Sequence, residues 1–230
     1  MSSTNSKTKP FDKAFPKTFG KAFVVTIDGP AGSGKSTVSS LLAQRLSLNF
    51  LTTGAFYRGL AYLCRKKSVD PTKIGKVTAL AHYEGFKVQA DVVGTKVLID
   101  DIDVTKELSS EEVALVASQI SAYPEVRMAL LELQRDFARA PGLIAEGRDC
   151  GTVVFPTADV KIFLTASLDK RATRRSADEK TIANRDNADT GRKVAPLAKA
   201  NDTIEIDSST LSAAEVVDKI MVLVKEKWKK

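Results

Sequence analysis

Asp28 is followed by Gly29-Pro30-Ala31-Gly32-Ser33-Gly34-Lys35-Ser36-Thr37, which fits the pattern G-x-x-x-x-G-K-[ST]. Glycines at 29, 32 and 34 let the backbone turn left-handed without a Cβ in the way, so successive N–H groups can converge on phosphate oxygens. Lys35 adds a mobile positive charge, and Ser36 offers a hydroxyl of the kind that ligates magnesium. A loop of this type works between a strand and a helix. Val24 to Asp28 is β-branched and apolar, as a buried parallel strand should be. Thr37 to Leu48 reads as a helix whose positive end would face the same phosphates. The spacing implies a bound nucleoside triphosphate.

A second group of residues suited to phosphate is Arg58, Arg127, Arg148 and the run from Arg185 to Lys193. They fall at the ends of predicted strands, in loops or near helix starts. Arginine binds phosphate with two parallel N–H groups and keeps its charge, so the grouping suits phosphorylated ligands better than a solvated surface. Ala166 to Ala195 is polar and rich in Lys, Arg and Asp between two apolar strands. A mobile lid that carries arginines onto a triphosphate would have this composition.

The elements that must position these groups alternate between strand and helix. Asn49–Thr53, Leu143–Glu146, Val160–Thr165 and Thr203–Asp207 read as further strands of the main sheet. Gly54–Cys64, a helix opened by the capping box Ser109/Glu112, its continuation after Pro124 over Val126–Ala138, and a last helix opened by Ser212/Glu215 lie between or after them. The pattern predicts an α/β fold with a mostly parallel central sheet flanked by helices. Phe86–Ala90, Lys96–Asp100 and Ile102–Val104 predict a small antiparallel insert within about residues 68–106, and a helical lid covers about 167–196. Ligands should gather at the carboxyl ends of the strands.

The 230 residues, 43% hydrophobic with a net charge of +7, allow a substantial core. No apolar run reaches the roughly 18 residues of a membrane span. Cys64 and Cys150 are too few for a disulfide framework and suit a reducing cytoplasm. His82 is alone, which excludes a zinc cluster built on several histidines. Residues 1–22 read as a disordered basic tail. Phe11, Phe15 and Phe19 are spaced by four, but Pro10, Pro16 and Gly20 would break a helix there. Residues 23–230 then form the folded domain.

Gly29–Thr37, Thr53-Gly-Ala-Phe-Tyr-Arg58, Glu146-Gly-Arg-Asp-Cys-Gly-Thr-Val-Val-Phe-Pro156 and Lys193-Val-Ala-Pro-Leu197 together resemble the bacterial cytidylate kinases. The resemblance spans about Phe23 to Trp228, and the stretch from Gly147 to Pro156 is its most specific part. It implies a P-loop nucleoside monophosphate kinase that transfers the γ-phosphoryl of ATP to CMP or dCMP with Mg2+. Residue by residue, it implies that Gly29, Pro30, Ala31, Gly32, Ser33, Gly34, Lys35, Ser36 and Thr37 hold ATP, with Ser36 on the metal. Thr53, Arg58, Arg148 and Arg192 would grip the monophosphate, with Lys35, Arg148 and Arg192 acting in catalysis. Tyr57, Arg185 and Asp189 would lie against the sugar, and Ser118, Arg127 and Asp149 would read the cytosine edge. Small-molecule nucleotides are the expected partners, with no nucleic acid or membrane, and the chain is expected to be a cytoplasmic monomer.

The sequence departs from the family pattern at Thr52, where an Asp is usual, and Glu146 stands as the alternative carboxylate. The lid segment is shorter than usual, and Ala188 and Thr190 occupy positions where basic residues are common. The alternative functions are a kinase for another monophosphate such as UMP, and a nucleic-acid-associated P-loop NTPase suggested by the net charge.

Overall fold

β1 (Phe23–Asp28) is buried along its whole length, and this explains its unbroken apolar run. The computed structural model describes residues 22–192 and 194–228, with the side chain of Arg185 outside that set. The expectation for the tail therefore lies almost entirely outside the described residues.

β1 is the middle strand of a five-stranded sheet in the order β2-β6-β1-β7-β8, formed with β2 (Asn49–Thr52), β6 (Gly142–Gly147), β7 (Val160–Thr165) and β8 (Ile204–Asp207). Every pairing is parallel, so each connection must cross over a face of the sheet and carries helix there. Alternate β1 residues face opposite cores. Val25 and Ile27 join α1 (Lys35–Leu46) and α8 (Ala213–Trp228) on one face. Val24 joins α2 (Gly54–Lys66), α4 (Glu111–Ile120) and α5 (Pro124–Arg135) on the other.

The expected antiparallel unit is a separate sheet of β3 (Phe86–Ala90), β4 (Thr95–Ile99) and β5 (Ile102–Asp103), preceded by α3 (Ile74–Leu80). It covers the free edge of β2 with three hydrogen bonds. Phe50 N donates to Asp91 O at 2.9 Å, Thr95 Oγ1 to Phe50 O at 2.9 Å, and Thr52 N to Thr95 Oγ1 at 2.8 Å. An exposed strand edge is thereby closed. Beyond β7, α6 (Leu168–Arg175) and α7 (Glu179–Thr190) occupy the segment expected as a helical lid.

Several boundaries differ from the sequence reading for identifiable reasons. α1 begins at Lys35 rather than Thr37, because Gly34, left-handed at φ 91°, caps it directly. α4 is capped by Ser110, whose Oγ accepts from Val113 N at 3.4 Å, and not by Ser109. A single 3-10 turn over Glu107–Ser109 buries Leu108 and moves the cap one residue on; Glu112 then reaches Arg65 at 2.6 Å. Pro124 separates two helices and becomes the first residue of the second. The box at Ser212 forms as expected, with Ser212 N donating to Glu215 Oε2 at 2.8 Å and Glu215 N to Ser212 Oγ at 3.2 Å. Among the described residues, no helix is long and apolar enough to cross a membrane.

Leu42 is fully buried between α1 and the sheet. Leu42→Ala should cost about 2–5 kcal/mol of unfolding free energy, read from urea titrations, with an unchanged far-UV spectrum.

Candidate active site

β1 and β6 run side by side with Asp28 opposite Gly147, so the two loops that leave them start from adjacent points. One is Gly29–Gly34, which enters α1. The other is Arg148-Asp149, which enters a wide π-type turn over Cys150–Val154. Asp28 joins them. Its carboxylate accepts Cys150 N at 2.9 Å and Gly151 N at 2.7 Å. From the other side, Arg135 of α5 donates to Val154 O at 3.0 Å and Val153 O at 3.1 Å. The turn is held at both ends. Burial lifts the Asp28 carboxyl to about 6, against the lowering effect of those two N–H groups.

Above these strand ends lies a cleft of about 1030 Å³. At one end, Gly32 and Gly34 take φ of 78° and 91°. Gly29, at φ 147°, allows the loop to touch β7; a Cβ there would stand 2.1 Å from Leu164 O. Lys35 is buried, with Nζ 2.7 Å from Pro30 O and 3.5 Å from Ser33 Oγ. Burial and the nearby Arg148 lower its ammonium to about 7, while Glu146, Asp28 and Asp189 oppose that fall. Beside it, Glu146 Oε1 accepts the hydroxyls of Ser36 at 2.8 Å and Thr52 at 2.9 Å. Glu146 Oε2 is buried with no hydrogen-bond partner. A buried carboxylate oxygen left in that condition is the kind of donor that a hard cation completes.

The other end is built from α2, α4 and α5. Arg127 and Asp149 form a buried ion pair, and Arg127 also donates to Ser121 O at 3.1 Å. The guanidinium lies over the Tyr57 ring, 5.4 Å from its centroid. Burial pushes the Asp149 carboxyl up, with Arg127 and Arg192 opposing, and pushes the Tyr57 hydroxyl up to about 12. Ser118 faces the same space from α4. Between the two ends, Asp189 accepts Arg148 Nε at 2.6 Å through one oxygen and pairs with Arg192 through the other. Thr53 Oγ1 donates to Glu146 O at 2.9 Å, and Arg58 Nη1 to Leu108 O at 2.7 Å.

Ala31 to Thr37, Thr53, Tyr57, Arg58, Ser118, Arg127, Arg148, Asp149, Asp189 and Arg192 therefore all line one cleft. Gly29 and Pro30, the first residues of the loop, do not line the cleft, and Gly29 packs against β7. The Arg185 side chain is not among the described groups. Ala188 lines the cleft, while Thr190 is turned away and donates to Asp186 O of its own helix at 2.7 Å.

The family model described as cytidylate kinase matches residues 25–226. The chain belongs to the cytidylate kinase family. A cytidylate kinase of Bdellovibrio bacteriovorus is 46% identical over 213 residues, covering 89% of this chain and 98% of that protein. One from Stutzerimonas stutzeri is also 46% identical, over 86% and 93% of the two chains. A bifunctional pantoate ligase/cytidylate kinase of Prochlorococcus marinus is 42% identical over 89% of this chain and 43% of its own length.

Some members of this kinase-family cleft escaped the sequence reading. Asp28 was legible only as the end of a strand, although its place directly before the glycine loop is a signal. Arg174 and Arg175 also line the cleft. Arg174 reaches Ser208 O at 2.7 Å and Ser208 Oγ at 3.0 Å, and the Arg-Arg pair in the polar segment was its trace. Gln134, buried in α5 and donating to Thr53 O at 3.4 Å, left no trace.

The raised Asp28 carboxyl fixes the sign of a pH effect. Between its unfolded value of 3.8 and about 6, the folded chain holds the proton more tightly, so this group's stabilisation is present below pH 4 and is lost as pH rises through 6. The unfolding free energy of wild type relative to Asp28→Asn should therefore shift in the variant's favour by up to about 3 kcal/mol between pH 4 and pH 7. Parallel denaturation curves across that range are the check.

Proposed function

We propose that this chain transfers the γ-phosphoryl group of ATP to CMP or dCMP. The observation that carries the reading is the single cleft with a glycine-loop cradle at one end, a buried Arg127–Asp149 pair at the other, and Arg148 and Arg192 between them. Family membership supports the same chemistry.

Phosphoryl transfer asks the protein mainly for alignment and for positive charge where negative charge develops. Gly29–Thr37 cradles the β- and γ-phosphates through the backbone N–H groups of its residues other than Pro30, and Lys35 follows the transferring group. A bound polyphosphate restores the Lys35 charge that burial weakens, so the cation forms where it is used. Arg58, Arg148 and Arg192, with Thr53, hold the acceptor phosphate. Tyr57, Asp189 and Arg185 flank the sugar. Ser36 and Glu146 are the residues that would hold Mg2+, and their oxygen donors fit it. The lone carboxylate with an unfilled oxygen matches an ion that takes its other ligands from phosphate and water. When bound, the ion neutralises charge on the β- and γ-phosphates.

Selection of the base follows from donors and acceptors. Asp149 accepts from the cytosine N4 amino group, and Arg127 donates toward N3 or O2. With UMP in the same pose, acceptor meets acceptor and donor meets donor. The segment around residues 167–196 acts as a lid over the triphosphate, and residues 68–106 form an insert beside the monophosphate end of residues 23–230.

A coupled assay with ATP and a panel of monophosphates tests the reading. CMP should exceed UMP by about 30-fold or more in kcat/KM, since unmatched polar groups cost about 1–3 kcal/mol each. Equal use of UMP would refute the assignment of Arg127 and Asp149 to the base. Lys35→Met should lower kcat by about 100-fold or more while the thermal midpoint stays near wild type.

A further inference from the structure

We infer that Arg171 and Asp186 form a positioning pair that couples the two nucleotide subsites. This rests on the reading of the cleft as a two-nucleotide site. Neither residue lines the cleft.

Arg171 lies on α6 and is buried. Its Nε donates to Ala166 O at 3.0 Å, and its Nη1 donates to Ala31 O at 3.1 Å, inside the glycine loop. The backbone of α6 at this point rests on the loop itself, since a Cβ on Gly32 would come within 2.6 Å of Arg171 O. At this point α6 is in direct contact with the loop. The same Nη1 also donates to Asp186 Oδ2 on α7 at 2.5 Å. One guanidinium thus touches both the loop that cradles the triphosphate and the helix above it.

α7 carries that contact to the other subsite. Asp189 stands three residues after Asp186, on the same side of the helix. It holds Arg148 and Arg192 through its two oxygens. The path runs from Ala31 O through Arg171 and Asp186, along one helical turn, to the arginines assigned to the acceptor phosphate. It also has a second arrangement available. Asp186 Oδ1 is buried with no hydrogen-bond partner, so the pair is one-pronged here. A small rotation of α7 toward α6 would give the two-pronged form that arginine and carboxylate favour. A triphosphate that fixes the peptide at Ala31 sets the direction of its carbonyl, and with it the geometry open to Arg171. Binding at the loop then favours the two-pronged pair and the α7 position that aligns Arg148 and Arg192.

The test is the affinity for CMP, by calorimetry, with and without a saturating non-hydrolysable ATP analogue and Mg2+. In wild type the analogue should tighten CMP binding by about fivefold or more. In Asp186→Asn that factor should fall to near one while CMP affinity without the analogue changes less than twofold. Asp186→Glu, which keeps the carboxylate, should keep the factor, and a purely structural role would not predict its loss in Asp186→Asn at unchanged basal affinity. Should Asp186→Asn fail to fold, Arg171→Lys, which keeps the charge and loses the fork, carries the same expectation. Absence of coupling in wild type, or equal coupling in wild type and the variants, would overturn the inference and leave the two-site reading standing. Failure of CMP to bind wild type at all would overturn both.

Discussion

The two N–H groups that Asp28 accepts from Cys150 and Gly151 are the constraint on which the cleft depends. The strand pairing brings the glycine loop and the Arg148-Asp149 loop to adjacent starting points, but it leaves their directions open. The buried carboxylate removes that freedom. It holds the turn from which Arg148 reaches Asp189 and Asp149 reaches Arg127. Its cost is the desolvation that raises its own carboxyl to about 6, offset by two well-placed donors.

The charges in the cleft follow the same logic. Arg127 is paired with Asp149, Arg148 and Arg192 share Asp189, and, outside the cleft lining, Arg171 meets Asp186. Isolated buried cations would repel one another and sample many rotamers. Asp149 neutralises Arg127, Asp189 offsets one of its two positive partners, and each carboxylate fixes the forks it meets in one direction, so little reorganisation is left for the moment of transfer. A phosphate entering the middle of the cleft competes with Asp189 for two guanidinium groups already turned toward it. The glycine loop and the Arg127–Asp149 pair lie on elements anchored to the two cores. The covering helices α6 and α7 bury far fewer apolar groups, and their order relies on ion pairs that can be remade.

Local features were legible in the sequence, and long-range ones were not. The glycine loop, the four later strands of the main sheet and the antiparallel strands announced themselves through spacing, β-branching and turn residues. The cap at Ser110 in place of Ser109 was decided by the burial of Leu108, which no local pattern specifies. α3 was missed because Ile74–Leu80 is short, begins without a capping side chain and contains Gly75. The π-type turn after Asp149 is fixed by Asp28, 122 residues earlier in the chain, and by Arg135. Apart from Gly29, Pro30 and the undescribed Arg185 side chain, the site residues carried by the family resemblance line one cleft, whereas Arg171 and Asp186 act through contacts that exist only once α6 lies on the glycine loop.

On the proposed reading, one cleft holds a triphosphate and a cytidine monophosphate end to end. An adenosine and a cytidine joined at their 5′ ends by a polyphosphate chain would span both subsites. Titration of the protein with that compound should give one site per chain and displace both ATP and CMP, with an affinity well beyond either alone. Binding that competes with only one of the two nucleotides, or that gains nothing over the tighter of them, would contradict the account.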